Sequence, residues 1–191
     1  MLKLFKKKKP LIKREEDKRS ATEWMLDQIT FYDVESILEI GVTSGRTVVD
    51  LAKRLPYCSI NGIDLEKSNI NQAQQLIDSN KLTDRIALQV SSSEEIPFNS
   101  DMFSKVLAID VYSLWEKPSI SLFEIRRVLK ENGKAYFYMS NPERVSELSH
   151  LPTADELCEL LERTGFTSVS AREHRNQSKL LGTCIRGKKV A

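Results

Sequence analysis

Short apolar runs alternate along this chain with stretches whose apolar positions recur every three or four residues. The first run, residues 37–40, is interrupted only by Glu39 and stops at Gly41. Residues 41–45 read as a loop. Residues 47–55 then put Val48, Leu51, Ala52 and Leu55 on one helical face. The alternation continues. Strands are predicted over 58–64, 85–90, 103–109 and 134–139. Helices are predicted over 67–79, with Ile70, Ala73, Leu76 and Ile77 inward, and over 120–130, with Leu122, Ile125, Val128 and Leu129 inward. Glu131-Asn132-Gly133 should break the latter helix. A short helix over 22–30 precedes the first strand, residues 91–98 form a loop, and residues 142–151 read as irregular or briefly helical. Thr153 caps a helix over 154–164 that Gly165 closes.

The last two runs, 167–173 and 180–186, are separated only by Arg175-Asn176-Gln177-Ser178. So short a link joins antiparallel strands. The expected fold class is α/β: a doubly wound, seven-stranded, mostly parallel sheet with a C-terminal antiparallel hairpin. The continuous apolar stretch within 103–109 marks a buried central strand.

With 191 residues, 40% hydrophobic and 29% charged, the chain suits one globular domain over 21–191 behind a basic extension over 1–20. No apolar stretch approaches the about 20 residues of a membrane span. Lys6 to Lys9 run into Pro10 and further charge rather than an apolar secretory segment, so a cytoplasmic protein is expected. Three scattered cysteines and two histidines lack metal-ligand spacing; reduced thiols and no metal site are expected. Charge is uneven. Residues 1–20 carry nine Lys/Arg against three Asp/Glu, a net of +6, and the remainder is −4. The extension reads first as a solvated arm. Its lysines alternate with Leu2, Leu4, Phe5, Leu11 and Ile12, so peripheral contact of residues 1–14 with an anionic membrane is the next reading, and nucleic acid is disfavoured.

Strand, glycine turn and helix bring bare backbone N–H groups up to a ligand, and the helix start adds partial positive charge. Alone, such a turn is also what a simple cap looks like. Asp64 changes the balance. It ends the second strand, 23 residues after Gly41, near the about 20-residue spacing at which an acid holds ribose hydroxyls. No Gly-Lys-Ser/Thr follows the turn, so a nucleoside-containing cofactor is favoured over a triphosphate.

Five motifs in order then resemble the class I S-adenosylmethionine-dependent methyltransferases of small-molecule type, over about residues 20–189. They are Glu39-Ile40-Gly41-Val42-Thr43-Ser44-Gly45, Gly62-Ile63-Asp64-Leu65, the loop from Ser93 to Phe98, the turn from Arg126 to Lys134, and Leu160 to Phe166. The resemblance implies S-adenosyl-L-methionine as cofactor and S-adenosyl-L-homocysteine as product. It places Gly41, Val42 and Gly45 along the methionine part, with Glu39 toward the amine. Asp64 would take the ribose hydroxyls, with Glu66 next in line. Leu65 would pack on the adenine face, and Ser92 and Ser93 would meet its edge. Ala108, Ile109 and Asp110 would border the transferred methyl. Four positions depart from the pattern: Thr43 for a middle glycine, Ser92 for an acid, Ser104 for an acid and Ser113 for a histidine. A threonine at 43 should avoid positive φ.

The function expected is methyl transfer to a small-molecule acceptor. The alternatives are a non-catalytic S-adenosylmethionine-binding or membrane-associated regulatory module, and a nucleic-acid or protein methyltransferase. Methyl transfer is in-line displacement, so alignment and a dry pocket matter more than a catalytic triad. Asp110 is the candidate general base and equally a strand-end cap. Tyr112 and Trp115 read as an aromatic wall or as core, Trp24 and His174 as structural, and His150 as a loop residue.

Overall fold

The computed structural model describes residues 20–141 and 152–190. The membrane-contact expectation for residues 1–14 and the loop holding His150 lie outside the described residues. Seven strands form one sheet: β1 (Ser36–Ile40), β2 (Ser59–Asp64), β3 (Ile86–Val90), β4 (Phe103–Ile109), β5 (Leu129–Ser140), β6 (Phe166–Asn176) and β7 (Lys179–Lys189). Their order is β3-β2-β1-β4-β5-β7-β6. All neighbours from β3 to β5 are parallel, and β7 runs antiparallel to both β5 and β6. The expected doubly wound sheet with a terminal hairpin is the observed one.

Five helices are described: α1 (Ala21–Leu26), α2 (Arg46–Arg54), α3 (Lys67–Ser79), α4 (Pro118–Val128) and α5 (Ala154–Arg163). The core divides into two layers. Ile37, Ile60, Leu107, Tyr136 and Tyr138 pack against α1, α2 and α3. Leu38, Val106, Phe137 and Ile185 pack against α4 and α5. Strand residues therefore alternate between layers, as the two-residue side-chain period requires. Ser20 and Thr153 start α1 and α5 with reciprocal capping boxes to Glu23 and Glu156.

Several expected boundaries move; β6 and β7 run longer than 167–173 and 180–186 and take in Arg175 and Asn176 of the expected link. Helix α4 stops at Val128, and β5 begins at once instead of after Gly133. The expected break survives as a bulge, because Phe103 pairs with Leu129 but Lys105 pairs with Lys134. Asn132 carries the left-handed turn at φ 63. Gly133 is needed for closeness: a β-carbon there would lie 2.8 Å from Lys130 O. Helix α1 ends at Leu26 rather than near residue 30. Trp24 goes into the core, stacked on His174 with centroids 4.5 Å apart, and Tyr138 Oη lies 2.7 Å from His174 Nδ1.

Candidate active site

Strand β1 lies between β2 and β4, where the winding of the sheet reverses, and the crevice beyond those strands' carboxyl ends is where such sheets take ligands. The glycine turn is clipped onto β2 at this point. Ile63 O accepts from Gly41 N at 2.8 Å and from Val42 N at 3.3 Å. Thr43 N donates to Asp64 Oδ2 at 2.9 Å. Asp64 Oδ1 accepts from Glu66 N at 2.9 Å and Asn69 Nδ2 at 3.0 Å. The Asp64 carboxylate thus turns toward the glycine turn and is only 7% exposed. Oδ2 keeps a lone pair for a ligand hydroxyl.

Thr43 corrects one expectation, for it sits at φ 49. The left-handed geometry aims its N–H at a carboxylate, and that charge-assisted bond offsets the cost of the conformation. The glycines serve the protein as well as a ligand. A β-carbon at Gly41 would collide with Val111 Cγ1, and one at Gly45 would lie 2.7 Å from Ala73 Cβ. The turn is therefore bare because Val111 and α3 occupy its flanks. Both glycines have φ 79, closed to most side chains.

Glu39 lies beneath the start of α2, 2% exposed. It accepts from the Thr47 hydroxyl and Val48 N, while Oε2 has no partner. Burial pushes its pKa up to about 8; the Thr47 bond opposes this, and Asp64 adds to it. A buried carboxyl with an orphan oxygen is costly without a ligand. Leu65 stands 69% exposed beside Asp64, an apolar surface for a flat ring.

The loop after β3 is tied down. Ser92 Oγ accepts from Glu94 N at 3.1 Å. The Ser93 hydroxyl is buried 2.9 Å from Ser121 Oγ on α4, so contact from this residue to a ligand falls to its backbone. Ser93→Ala is expected to lower stability by about 1 kcal/mol, since Ser121 loses its partner; urea denaturation measures it. After β4, Ile109 is half-buried. Asp110 takes φ 55, and its carboxylate accepts from Ser140 N at 2.7 Å and Ser140 Oγ at 2.8 Å. Asp110 therefore ties the end of β4 to β5. Tyr112 is buried against Trp115, which also touches the Phe137 ring.

Reading the sequence alone missed Asn69, Val111 and Ser140. Asn69 had a signal, standing one helical turn into α3 from the acid. Val111 and Ser140 had none, because their contacts depend on how β4 and β5 end.

Residues 38–137, just over half of the chain, match the family described as Methyltransferase domain. The chain belongs to that family. It is a class I S-adenosylmethionine-dependent methyltransferase by family and fold. The chain is 30% identical to an uncharacterized protein of Haemophilus influenzae over 117 residues, 60% of this chain and 46% of that one. It is 23% identical to the uncharacterized methyltransferase YdaC of Bacillus subtilis over 181 residues, 92% and 94% of the two chains. In structure it is similar to phosphoethanolamine N-methyltransferase 2 of Haemonchus contortus in complex with S-adenosyl-L-methionine. The TM-score is 0.76 at 16% identity, over 89% of this chain and 52% of that one. The chain thus spans about half the length of the first and third of these proteins and nearly all of the second.

S-adenosylmethionine, the family's cofactor, fits what the crevice offers. The orphan Glu39 oxygen suits a cationic amine, the open lone pair on Asp64 suits a ribose hydroxyl, and Leu65 suits an adenine face.

Proposed function

We propose that this methyltransferase binds S-adenosylmethionine between Glu39, residues 41–45 and Asp64 and transfers its methyl group to a small-molecule acceptor. The observation that carries the reading is the Asp64 carboxylate turned onto the Thr43 N–H, with one acceptor position left over. When bound, the cofactor supplies an electrophilic methyl on a sulfonium. Glu39 holds the amine, Asp64 the ribose, and Leu65 covers the adenine. Ile109 borders the methionine arm, to which Val42 offers only its backbone because its side chain is buried in the core, and Ser92 and Ser93 border the adenine edge. Small acceptors are favoured because residues 110–117, between β4 and α4, contain one short 3₁₀ turn (Tyr112–Leu114) and no inserted element that could grip a macromolecule.

Asp110 spends both oxygens on Ser140. An acceptor that is already nucleophilic, such as an amine, a thiolate or a stabilised carbanion, makes no demand on a base. Asp110→Asn is expected to cost about 1 kcal/mol of stability and to leave the pH profile of kcat unchanged. Loss of the alkaline-rising limb in that variant would instead make Asp110 the base.

A titration with S-adenosylmethionine and S-adenosylhomocysteine, followed by transfer of labelled methyl groups to a panel of small acceptors, tests the proposal. Micromolar binding of both with turnover of one acceptor supports it. Binding without turnover on any acceptor favours the non-catalytic module, and no binding at millimolar ligand overturns both readings.

A further inference from the structure

At the amino-terminal end of the sheet, opposite the cofactor crevice, three lysines stand in one row. Lys105 on β4 pairs in register with Lys134 on β5, and Lys134 pairs with Lys188 on β7. Like charges directly opposite each other on a sheet destabilise it. All three line one concavity of about 360 Å³, together with Tyr32, Glu35, Lys130, Glu131 and Asn132. Four lysines face two carboxylates there, a net charge of +2.

One carboxylate is already committed. Lys105, 3% exposed, forms a buried ion pair with Glu35, and its ammonium lies 5.4 Å and 5.3 Å from the Phe31 and Tyr32 ring centroids. Among the described residues, Lys130, Lys134 and Lys188 make no salt bridge. The concavity is wide because the β5 bulge throws Lys130 to Asn132 outward as a wall. On the other side Tyr32, 65% exposed, presents an apolar ring.

We infer that this concavity is a second binding site, for an organic phosphate whose phosphomonoester or pyrophosphate group bridges Lys130, Lys134 and Lys188 while its body rests on Tyr32. A group of two negative charges matches the +2 left by the pocket. The anion relieves the Lys134–Lys188 repulsion, so the site gains in stability as it fills. The volume lies in the range of small-ligand sites and exceeds what a bare ion needs. The site shares no residue with the cofactor crevice and stands whether or not methyl transfer does.

The test uses the full chain and inorganic pyrophosphate as probe, in low salt because surface charge is screened. Lys130→Gln, Lys134→Gln and Lys188→Gln are compared with a chain in which Lys6, Lys7, Lys8 and Lys9 are all glutamine. The expected result is saturable one-to-one binding, weakened about tenfold by each pocket substitution, the scale of one charge-assisted hydrogen bond. The arm variant should bind as the parent does. Lys130 lies on the exposed bulge, so its replacement keeps the fold intact even if Lys134→Gln does not. Affinity for S-adenosylmethionine should not change in Lys130→Gln. Sedimentation with phosphatidic acid vesicles separates the sources: loss of vesicle binding in the pocket variants assigns the phosphate to a lipid headgroup, and pyrophosphate binding without vesicle binding assigns it to a free metabolite. The inference is overturned if pyrophosphate does not saturate at millimolar concentration, or if only the arm variant loses it.

Discussion

Replacing Asp64 by alanine should abolish measurable cofactor binding and lower stability by about 3 kcal/mol. Three donors lose their acceptor at once: Thr43 N, Glu66 N and Asn69 Nδ2. Each bond to a charged acceptor is worth roughly 1.5–3 kcal/mol when buried, and less here, because Thr43 and Glu66 are exposed and water replaces much of the lost acceptor. Thr43 has a further cost, since the carboxylate is what holds it in the left-handed region. Asp64→Asn separates the two effects. An amide keeps the shape but must present an NH2 to at least one of these donors, so the turn should loosen while the helix start survives. Calorimetry with S-adenosylhomocysteine reads the affinity, and urea denaturation reads the stability. Unchanged affinity in Asp64→Ala would move the ribose contact to Glu66, which is exposed and starts α3 without a side-chain cap.

How far the sequence revealed this arrangement depended on whether a feature was local. The mostly parallel sheet and its closing hairpin follow from period, spacing and one short link, because so short a connection cannot cross the sheet, while the order of the strands was not read. Asp64 was legible as the acid that ends β2. Its three partners were not, because Thr43 reaches it only through a positive φ that a threonine was expected to avoid. The glycines were legible as special, but for half of the reason. Their missing side chains admit Val111 and Ala73, contacts set by how β4 and α3 pack and by no pattern near residue 41. Asp110 was legible as a strand-end acid, and its partner Ser140 lies thirty residues away. The bulge at residues 130–133 was read as a plain helix stop. The same Asn-Gly pair serves either purpose, and only the pairing of Lys105 with Lys134 distinguishes them. That bulge in turn adds Lys130 to three lysines that strand pairing lines up from distant positions in the sequence.

Glu39 should make both folding and cofactor binding depend on pH. Its pKa in the folded chain is about 8, against an ordinary 4.5. The folded state therefore holds the proton more tightly than the unfolded state. The stabilisation from this group is complete below about pH 4.5 and is lost as pH rises toward about 8, at roughly 1.4 kcal/mol for each pH unit climbed between those two values. Glutamine is the permanently neutral counterpart. Its carbonyl can still accept from Thr47 and Val48, so Glu39→Gln should match the parent near pH 5. It should exceed the parent by a few kcal/mol near pH 9 in the absence of ligand. Binding runs the other way. A cationic amine next to Oε2 favours the carboxylate, so the parent should release a proton on taking up S-adenosylmethionine below about pH 8. Calorimetry in two buffers of different ionisation enthalpy counts that proton. Glu39→Gln should release none from this site and bind at least about tenfold more weakly near pH 9, the loss expected when one charged hydrogen-bond partner is removed. A parent that releases no proton, with an affinity equal to that of Glu39→Gln across the range, would detach the orphan oxygen from the cofactor and leave Glu39 as a buried support for the first turn of α2.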